Sequence, residues 1–305
     1  MTSLARLKYE KKLILDAGRR RHLSWGMDFD TRSAMLSQEI SEHWADDVKS
    51  IHRHNRESIQ KGLIAEFGEH SAIAKLENFI AIDTKPLSVL SHHNALYHQI
   101  REAFVIEAYY PALVGACALG ERMLNHMILD MRPHFSATPE YKKVYRKDSF
   151  DDWHVSINTL EAWKILLPET VTEFRALVPL RNRSIHFNLK TYGKLREDAL
   201  SAVLHMRTII EKQFGSFGLQ PWFIRGTKGN LFIRKDFEDH PFVSTYFLPN
   251  CPFVGPYFGM EYSPAGWKVH DRPNYGEGSW TDDEFAEVFN NRDPALVIQP
   301  PSKTG

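Results

Sequence analysis

The chain has 305 residues, of which 43% are hydrophobic and 25% are charged, a balance that favours a folded core and excludes an intrinsically disordered protein. Basic and acidic residues both number 38, so the formal net charge is +0 and any nucleic-acid surface must be a local patch. The two cysteines, Cys117 and Cys251, lie far apart, which argues against a disulfide framework or a cysteine-based zinc site and favours a reducing compartment.

Two further absences bear on location. The N-terminal segment is charged and lacks the apolar stretch of a secretory signal. No apolar run approaches the roughly 18–20 residues that a membrane-spanning helix needs. We therefore expect a cytoplasmic protein with no membrane partner.

Residues 1–94 form the first predicted region, which is helical but irregular. Apolar residues between positions 40 and 63 recur at helical spacing and predict one long amphipathic helix. The segment 83–86 predicts a break. Histidines cluster in this region and at the start of the next one, at His52, His54, His92, His93 and His98. No acids or cysteines complete a metal site at a diagnostic spacing, so neither a metal nor a cofactor is expected.

Residues 95–215 form the second region and carry four helical signals. The first helix is predicted from about residue 95 to residue 110, ending at Pro111. The second is the clearest, because one apolar stripe runs along it before Pro133 closes it. That stripe comprises Leu113, Cys117, Gly120, Leu124, Met127 and Met131.

The remaining two helical signals follow a basic stretch. A third helix is predicted to begin near Asp151, to be interrupted by Pro168 and to resume as far as Leu180. A fourth begins near Leu195 and ends at the glycines that follow residue 214.

Residues 216–305 form a third, strand-rich region. Two apolar runs at 222–224 and 231–233 flank a glycine-containing loop and predict a hairpin. Further aromatic and β-branched runs occupy 242–247, 253–262 and 267–269. Thr281 to Glu284 form a capping box that predicts a short helix before a frayed tail. The aromatic residues favour a small core over a base-stacking platform.

The segment from Arg181 to His186, RNRSIH, groups three chemically useful side chains. Asn182 and His186 are four residues apart and share a helix face. Arg181 precedes His186 by five residues, about 140° around an ideal helix, and its long side chain can still reach the same pocket.

These groups suit RNA cleavage without a metal. The ribose 2′-hydroxyl must lose a proton and the leaving 5′-oxygen must gain one. An imidazole with a reference pKa of about 6.5 can do either at neutral pH, while an arginine can hold the phosphate. DNA lacks the 2′-hydroxyl and would be spared.

This segment resembles the R-N-x-x-x-H form of the Rx4–6H motif of the HEPN superfamily, and its position among the predicted helices is similar. The stretch ACALGERMLNHMI, residues 116–128, resembles the second helix of that family. The resemblance covers about residues 95–215. It implies a mainly α fold: a HEPN-like four-helix bundle, here with an N-terminal helical extension and a small C-terminal strand-rich module.

The resemblance implies a metal-independent endoribonuclease, as found in toxin–antitoxin and antiphage defence systems. Arg181 and His186 would be the catalytic pair and Asn182 a polar accessory. Glu121 is a weaker candidate for a supporting role, since its spacing places a carboxylate on the buried stripe, where it needs a partner. A homodimer would complete the site, and an antitoxin or other defence protein could be a partner.

Several alternatives stay open. The same domain could be a non-catalytic dimerisation or nucleotide-binding scaffold that acts through a partner protein, or the motif could be coincidental. Basic residues of the second region could contact RNA phosphates, although such runs are also common as solvated faces. These candidate RNA-binding residues are Lys142, Lys143, Arg146, Lys147 and Arg183.

Overall fold

The computed structural model describes residues 18–24, 28–185, 193–263, 266–276 and 279–299. The chain divides into two compact units, one of residues 27–215 and one of residues 1–26 together with 216–305. The division after residue 215 falls where the sequence placed it. The predicted boundary after residue 94 is not found there, because residues 27–94 belong to the unit that also contains residues 95–215.

The unit of residues 27–215 is built from helices. These are α1 (Arg32–Ser37), α2 (Asp46–Phe67), α3 (Ala72–Ala81), α4 (Ser91–Val105), α5 (Tyr109–Met131), α6 (Tyr141–Val144), α7 (Trp153–Ala162), α8 (Pro168–Ile185) and α9 (Leu195–Ile209). A π-helical turn over Ile210–Phe214 extends α9. The described part of the chain contains no helix with the length and apolar character needed to cross a bilayer.

Helix α5 lies at the centre of this unit and packs against α4, α7, α8 and α9. The predicted apolar stripe is confirmed, because all six of its residues are buried. Gly120 is required for close packing, since a Cβ at this position would lie 2.8 Å from the Trp153 ring. The stripe therefore fixes which face of α5 forms the core and which face remains for other contacts.

Two prolines have a different role from the predicted one. The first helix ends at Val105, and Pro111 lies in the first turn of α5. Pro168 likewise begins α8 and separates it from α7. The amide hydrogen that proline lacks has no partner in the first turn of a helix, so proline is tolerated there. The prediction of a helix end at Pro111 was therefore wrong.

Asn78 joins the residues before position 94 to the later helices. Its buried side-chain amide on α3 donates to the carbonyl oxygens of Phe104 and Val105 at 3.3 and 3.4 Å and to the Tyr109 hydroxyl at 3.0 Å. Its oxygen accepts from Nε and Nη2 of Arg196 at 3.1 and 3.0 Å. One side chain thus binds α3 to the end of α4, the start of α5 and α9.

The other unit combines short strands and helices: β1 (Arg20–Arg21), α10 (Pro241–Tyr246), β2 (Phe253–Val254), β3 (Gly259–Ser263), β4 (Gly266–His270) and α11 (Asp282–Asn290). Strands β1 and β2 pair antiparallel, and β3 and β4 form a second antiparallel pair. The predicted pairing of 222–224 with 231–233 is confirmed by an antiparallel bridge between Phe223 and Ile233.

The run 242–247 forms a helix and not a strand. Pro241 occupies the first position of α10, where its fixed φ favours a helical start. The capping box before α11 is confirmed, with Thr281 and Glu284 satisfying each other's backbone amides. The predicted aromatic core is also found, formed largely by buried rings: Trp222, Phe223, Phe232, Phe242, Phe247, Phe258, Phe285 and Phe289. Trp267 is exposed.

Candidate active-site cleft

A cleft of about 500 Å³ opens beside the outward face of α5. Its walls come from α5, the end of α8 and the segment after α6. Its volume lies within the range usual for small-molecule sites. The lining is rich in side chains that can donate or accept hydrogen bonds: Cys117, Glu121, Arg122, Asn125, His126, Asp148, Arg181 and Ser184.

Two candidates from the sequence, Arg181 and Glu121, meet in this cleft. Nη2 of Arg181 lies 3.2 Å from Oε2 of Glu121, and both side chains are only partly exposed. The same carboxylate oxygen accepts a hydrogen bond of 3.1 Å from Nε1 of Trp153. Glu121 therefore has the partners that a carboxylate on this face needs, and it holds the guanidinium at the wall of the cleft.

The end of α8 is attached to α9 just after Arg181. The Ser184 hydroxyl donates to the Arg181 carbonyl at 2.8 Å. Arg183 forms a two-pronged ion pair with Asp198 on α9, at 3.0 and 2.7 Å. This geometry restricts the positions that the Arg181 side chain can reach.

The other residues of the motif differ in their surroundings. Asn182 is exposed on α8. His186 lies outside the described residues, so the predicted pairing of His186 with Arg181 stays a prediction. Arg183 was a candidate RNA contact, but its guanidinium is engaged by Asp198, whose hydrogen bond raises the pKa of Arg183 above its ordinary value.

The predicted basic segment lies next to the cleft. Lys142, Lys143, Arg146 and Lys147 are all exposed, and none of them forms an ion pair within the described part of the chain. Arg132, which follows α5, holds this segment by donating to the carbonyl oxygens of Val144 and Lys147 at 3.1 and 2.6 Å.

Asn125, a residue of the cleft wall, adds a second attachment. Its side-chain oxygen accepts from the Phe150 amide at 3.1 Å. Asp148, the residue after Lys147, also lines the cleft. Of the four exposed cations, Lys142 and Lys143 lie on α6, and Arg146 and Lys147 lie between α6 and Asp148.

Cys117 is excluded as a nucleophile at neutral pH. Burial raises the pKa of its thiol to about 11, although a hydrogen bond from Ser184 opposes this rise. The thiol is protonated at pH 7, and the thiolate is the nucleophilic form.

Three polar residues of α5 that line the cleft were not predicted from the sequence: Arg122, Asn125 and His126. A usable signal was present. Arg122 and His126 are four residues apart, as are Glu121 and Asn125, so α5 carries a polar stripe beside its apolar one. The apolar stripe predicted the core face of α5, whereas the polar stripe beside it was assigned no role.

The histidines of α4 differ in their surroundings. His93 is buried, and its Nδ1 lies 3.1 Å from the Ser88 hydroxyl. Burial lowers the pKa of His93 to about 3, so it belongs to the uncharged core. His92 is exposed, and its ring centroid lies 6.0 Å from that of His126 in the cleft.

Comparisons with protein-family models, with curated proteins and with solved structures found no match to this chain. The resemblance of RNRSIH to the HEPN motif therefore stays a prediction from the sequence.

Proposed function

We propose that the protein is a metal-independent endoribonuclease of the HEPN type, acting as a toxin or an antiphage defence component. The observation that carries this proposal is the position of Arg181. The first residue of the predicted motif lines an open polar cleft and is held there by Glu121, the carboxylate predicted to support it. Exposed cations on α6 and on the segment that follows it suit a polyanionic substrate.

The reaction proceeds through the 2′-hydroxyl. A base removes the 2′-proton, the 2′-oxygen forms a bond to phosphorus, and the bond from phosphorus to the 5′-oxygen breaks. The 5′-oxygen takes up a proton, and the products are a 2′,3′-cyclic phosphate and a 5′-hydroxyl end. His186 carries a proton in one of these steps. The Arg181 guanidinium stabilises charge on the phosphorane-like transition state.

A second copy of the chain would complete the site, as the family resemblance implies. A neighbouring cleft of about 330 Å³ between α4 and α5 shares Ala118 and Arg122 with the first. Its lining is largely apolar and includes Ile100, Pro111 and Gly115. The case for the homodimer rests on the family resemblance.

One observation favours a second candidate, a non-catalytic scaffold that binds nucleotides or a partner protein. Arg181 is already ion-paired with Glu121, so the guanidinium is not wholly available to a phosphate. Glu121 accepts from Nη2, however, and a substrate phosphate can compete for the remaining donors of the guanidinium.

The proposal is tested by incubating the wild-type protein with a mixed RNA pool in EDTA, beside a DNA pool of the same sequences. We expect RNA cleavage that leaves 2′,3′-cyclic phosphate ends, and intact DNA. The variant His186→Ala should leave the RNA uncut. RNA that stays intact with wild-type protein at high concentration, or equal cleavage by the variant, would exclude the enzyme and leave the scaffold.

A further inference from the structure

Charge in the cleft is unevenly compensated. Of the two carboxylates in its lining, Glu121 is paired with Arg181 at 3.2 Å, and Asp148 is paired with Arg132 at 3.5 Å. Arg122 is exposed and forms no ion pair within the described residues. Among the residues that the structure describes, one guanidinium of the lining is therefore left without a counterion.

His126 stands beside this guanidinium. Arg122 and His126 are four residues apart on α5, so both side chains project from the same face of the helix into the same cleft. Both are exposed and thus accessible to a ligand. His92 approaches from α4, and burial together with the charges of His126 and Arg122 lowers its pKa.

We propose that Arg122 and His126 form a second phosphate-binding pair, which holds an RNA phosphate next to the one bound by Arg181. A guanidinium offers two parallel N–H donors to phosphate oxygens, and an imidazole adds a third donor. This inference rests on the proposed function for the identity of the substrate. It assigns to α5 a role in substrate binding that the motif on α8 does not include.

Binding can be measured without cleavage. The probe is a short fluorescein-labelled 2′-O-methyl RNA, whose blocked 2′-oxygen cannot attack phosphorus, and its affinity is followed by anisotropy at several salt concentrations. We expect Arg122→Gln to weaken binding about tenfold, in line with the loss of a charged hydrogen bond. The slope of log affinity against log salt should become shallower by about 0.7, the value for one lost contact to a single strand.

His126→Gln should weaken binding less, because it removes an imidazole and not a permanent charge. The matched control is Arg175→Gln, which removes a cation that is exposed on α8 and paired with Glu161. It should change neither the affinity nor the slope. Competition by inorganic phosphate and by a mononucleotide separates a requirement for the strand from binding of an isolated phosphate group.

Unchanged affinity and unchanged slope in the Arg122→Gln, His126→Gln double variant would overturn the inference, and so would an equal loss in Arg175→Gln. The probe is not cleaved, so the outcome is independent of catalysis. Failure of the nuclease proposal appears as intact RNA in EDTA. Failure of this inference appears as an unaltered binding isotherm.

Discussion

Replacing Arg181 by glutamine is expected to slow RNA cleavage about 10²- to 10³-fold, equivalent to about 3–4 kcal/mol of transition-state stabilisation. The guanidinium would stabilise charge that develops on the phosphate, and glutamine supplies no charge there. Most of the loss should appear in the rate constant of the cleavage step, measured under single-turnover conditions in EDTA. Folding should be affected less than cleavage, because the glutamine amide can still donate a hydrogen bond to Glu121.

Two controls separate catalysis from structure. Glu121→Gln breaks the same ion pair but leaves an oxygen that can accept from both Trp153 and Arg181. It should change cleavage less than tenfold, a bound set by the persistence of those neutral hydrogen bonds. Arg175→Gln, on the same helix, should leave cleavage unaltered. If Glu121→Gln were as damaging as Arg181→Gln, Arg181 would be only a structural partner of the carboxylate.

Replacing Asn78 by leucine is expected to lower the free energy of unfolding by about 3 kcal/mol. The substitution removes the hydrogen-bond partner of the partly buried Arg196 guanidinium and of the carbonyl groups of Phe104 and Val105 at the end of α4. Leucine has the branched shape of asparagine but a larger volume, so the change combines the lost hydrogen bonds with some overpacking. Among the described residues, Arg196 would keep only its contact with the Phe104 ring, with its guanidinium carbon 5.8 Å from the ring centroid. Urea unfolding followed by far-UV circular dichroism should show a lower midpoint with the slope preserved.

Asn158 is the matched control for this prediction. It is an exposed asparagine on α7 that also accepts from an arginine, Arg175, at 3.1 Å. Asn158→Leu should change stability by no more than about 0.5 kcal/mol, because water can replace the lost partner. Equal effects at Asn78 and Asn158 would mean that the buried amide does not hold α3 to α4, α5 and α9.

Periodicity was a good guide to the central helix. The stripe from Leu113 to Met131 predicted the buried face of α5, because a core face must repeat at the helical period whatever it packs against. The capping box at Thr281 was equally local and equally reliable. The helix end predicted at Pro111 was wrong, because a proline can lie in the first turn of a helix as well as after the end of one.

Long-range contacts could not be read from local pattern. The attachment of residues 27–94 depends on Asn78, a single polar side chain whose partners lie as far away as Arg196. Nothing in the spacing around Asn78 distinguishes it from a surface asparagine. The pairing of β1 with β2 likewise joins Arg20 to Val254, and strands of this length carry almost no periodic signal.

The candidate site was predictable in part. The motif predicted Arg181 as a site residue. Glu121 was predicted because a carboxylate on a buried helix face needs a partner. The two side chains are in contact. The cation of α5 was missed because Arg122 has no motif around it. Arg183 was assigned to RNA from its charge alone, whereas its contact with Asp198 is a tertiary feature that no sequence spacing reveals.

The most direct measurement is a crystal structure of the full chain with the 2′-O-methyl RNA bound. We expect a backbone phosphate oxygen within about 2.7–2.9 Å of an Arg181 guanidinium nitrogen, the distance typical of a charge-assisted hydrogen bond, with His186 contacting the same phosphodiester. RNA bound away from this cleft, with Arg181 still engaged only by Glu121, would contradict the assignment of the cleft as the site of RNA cleavage.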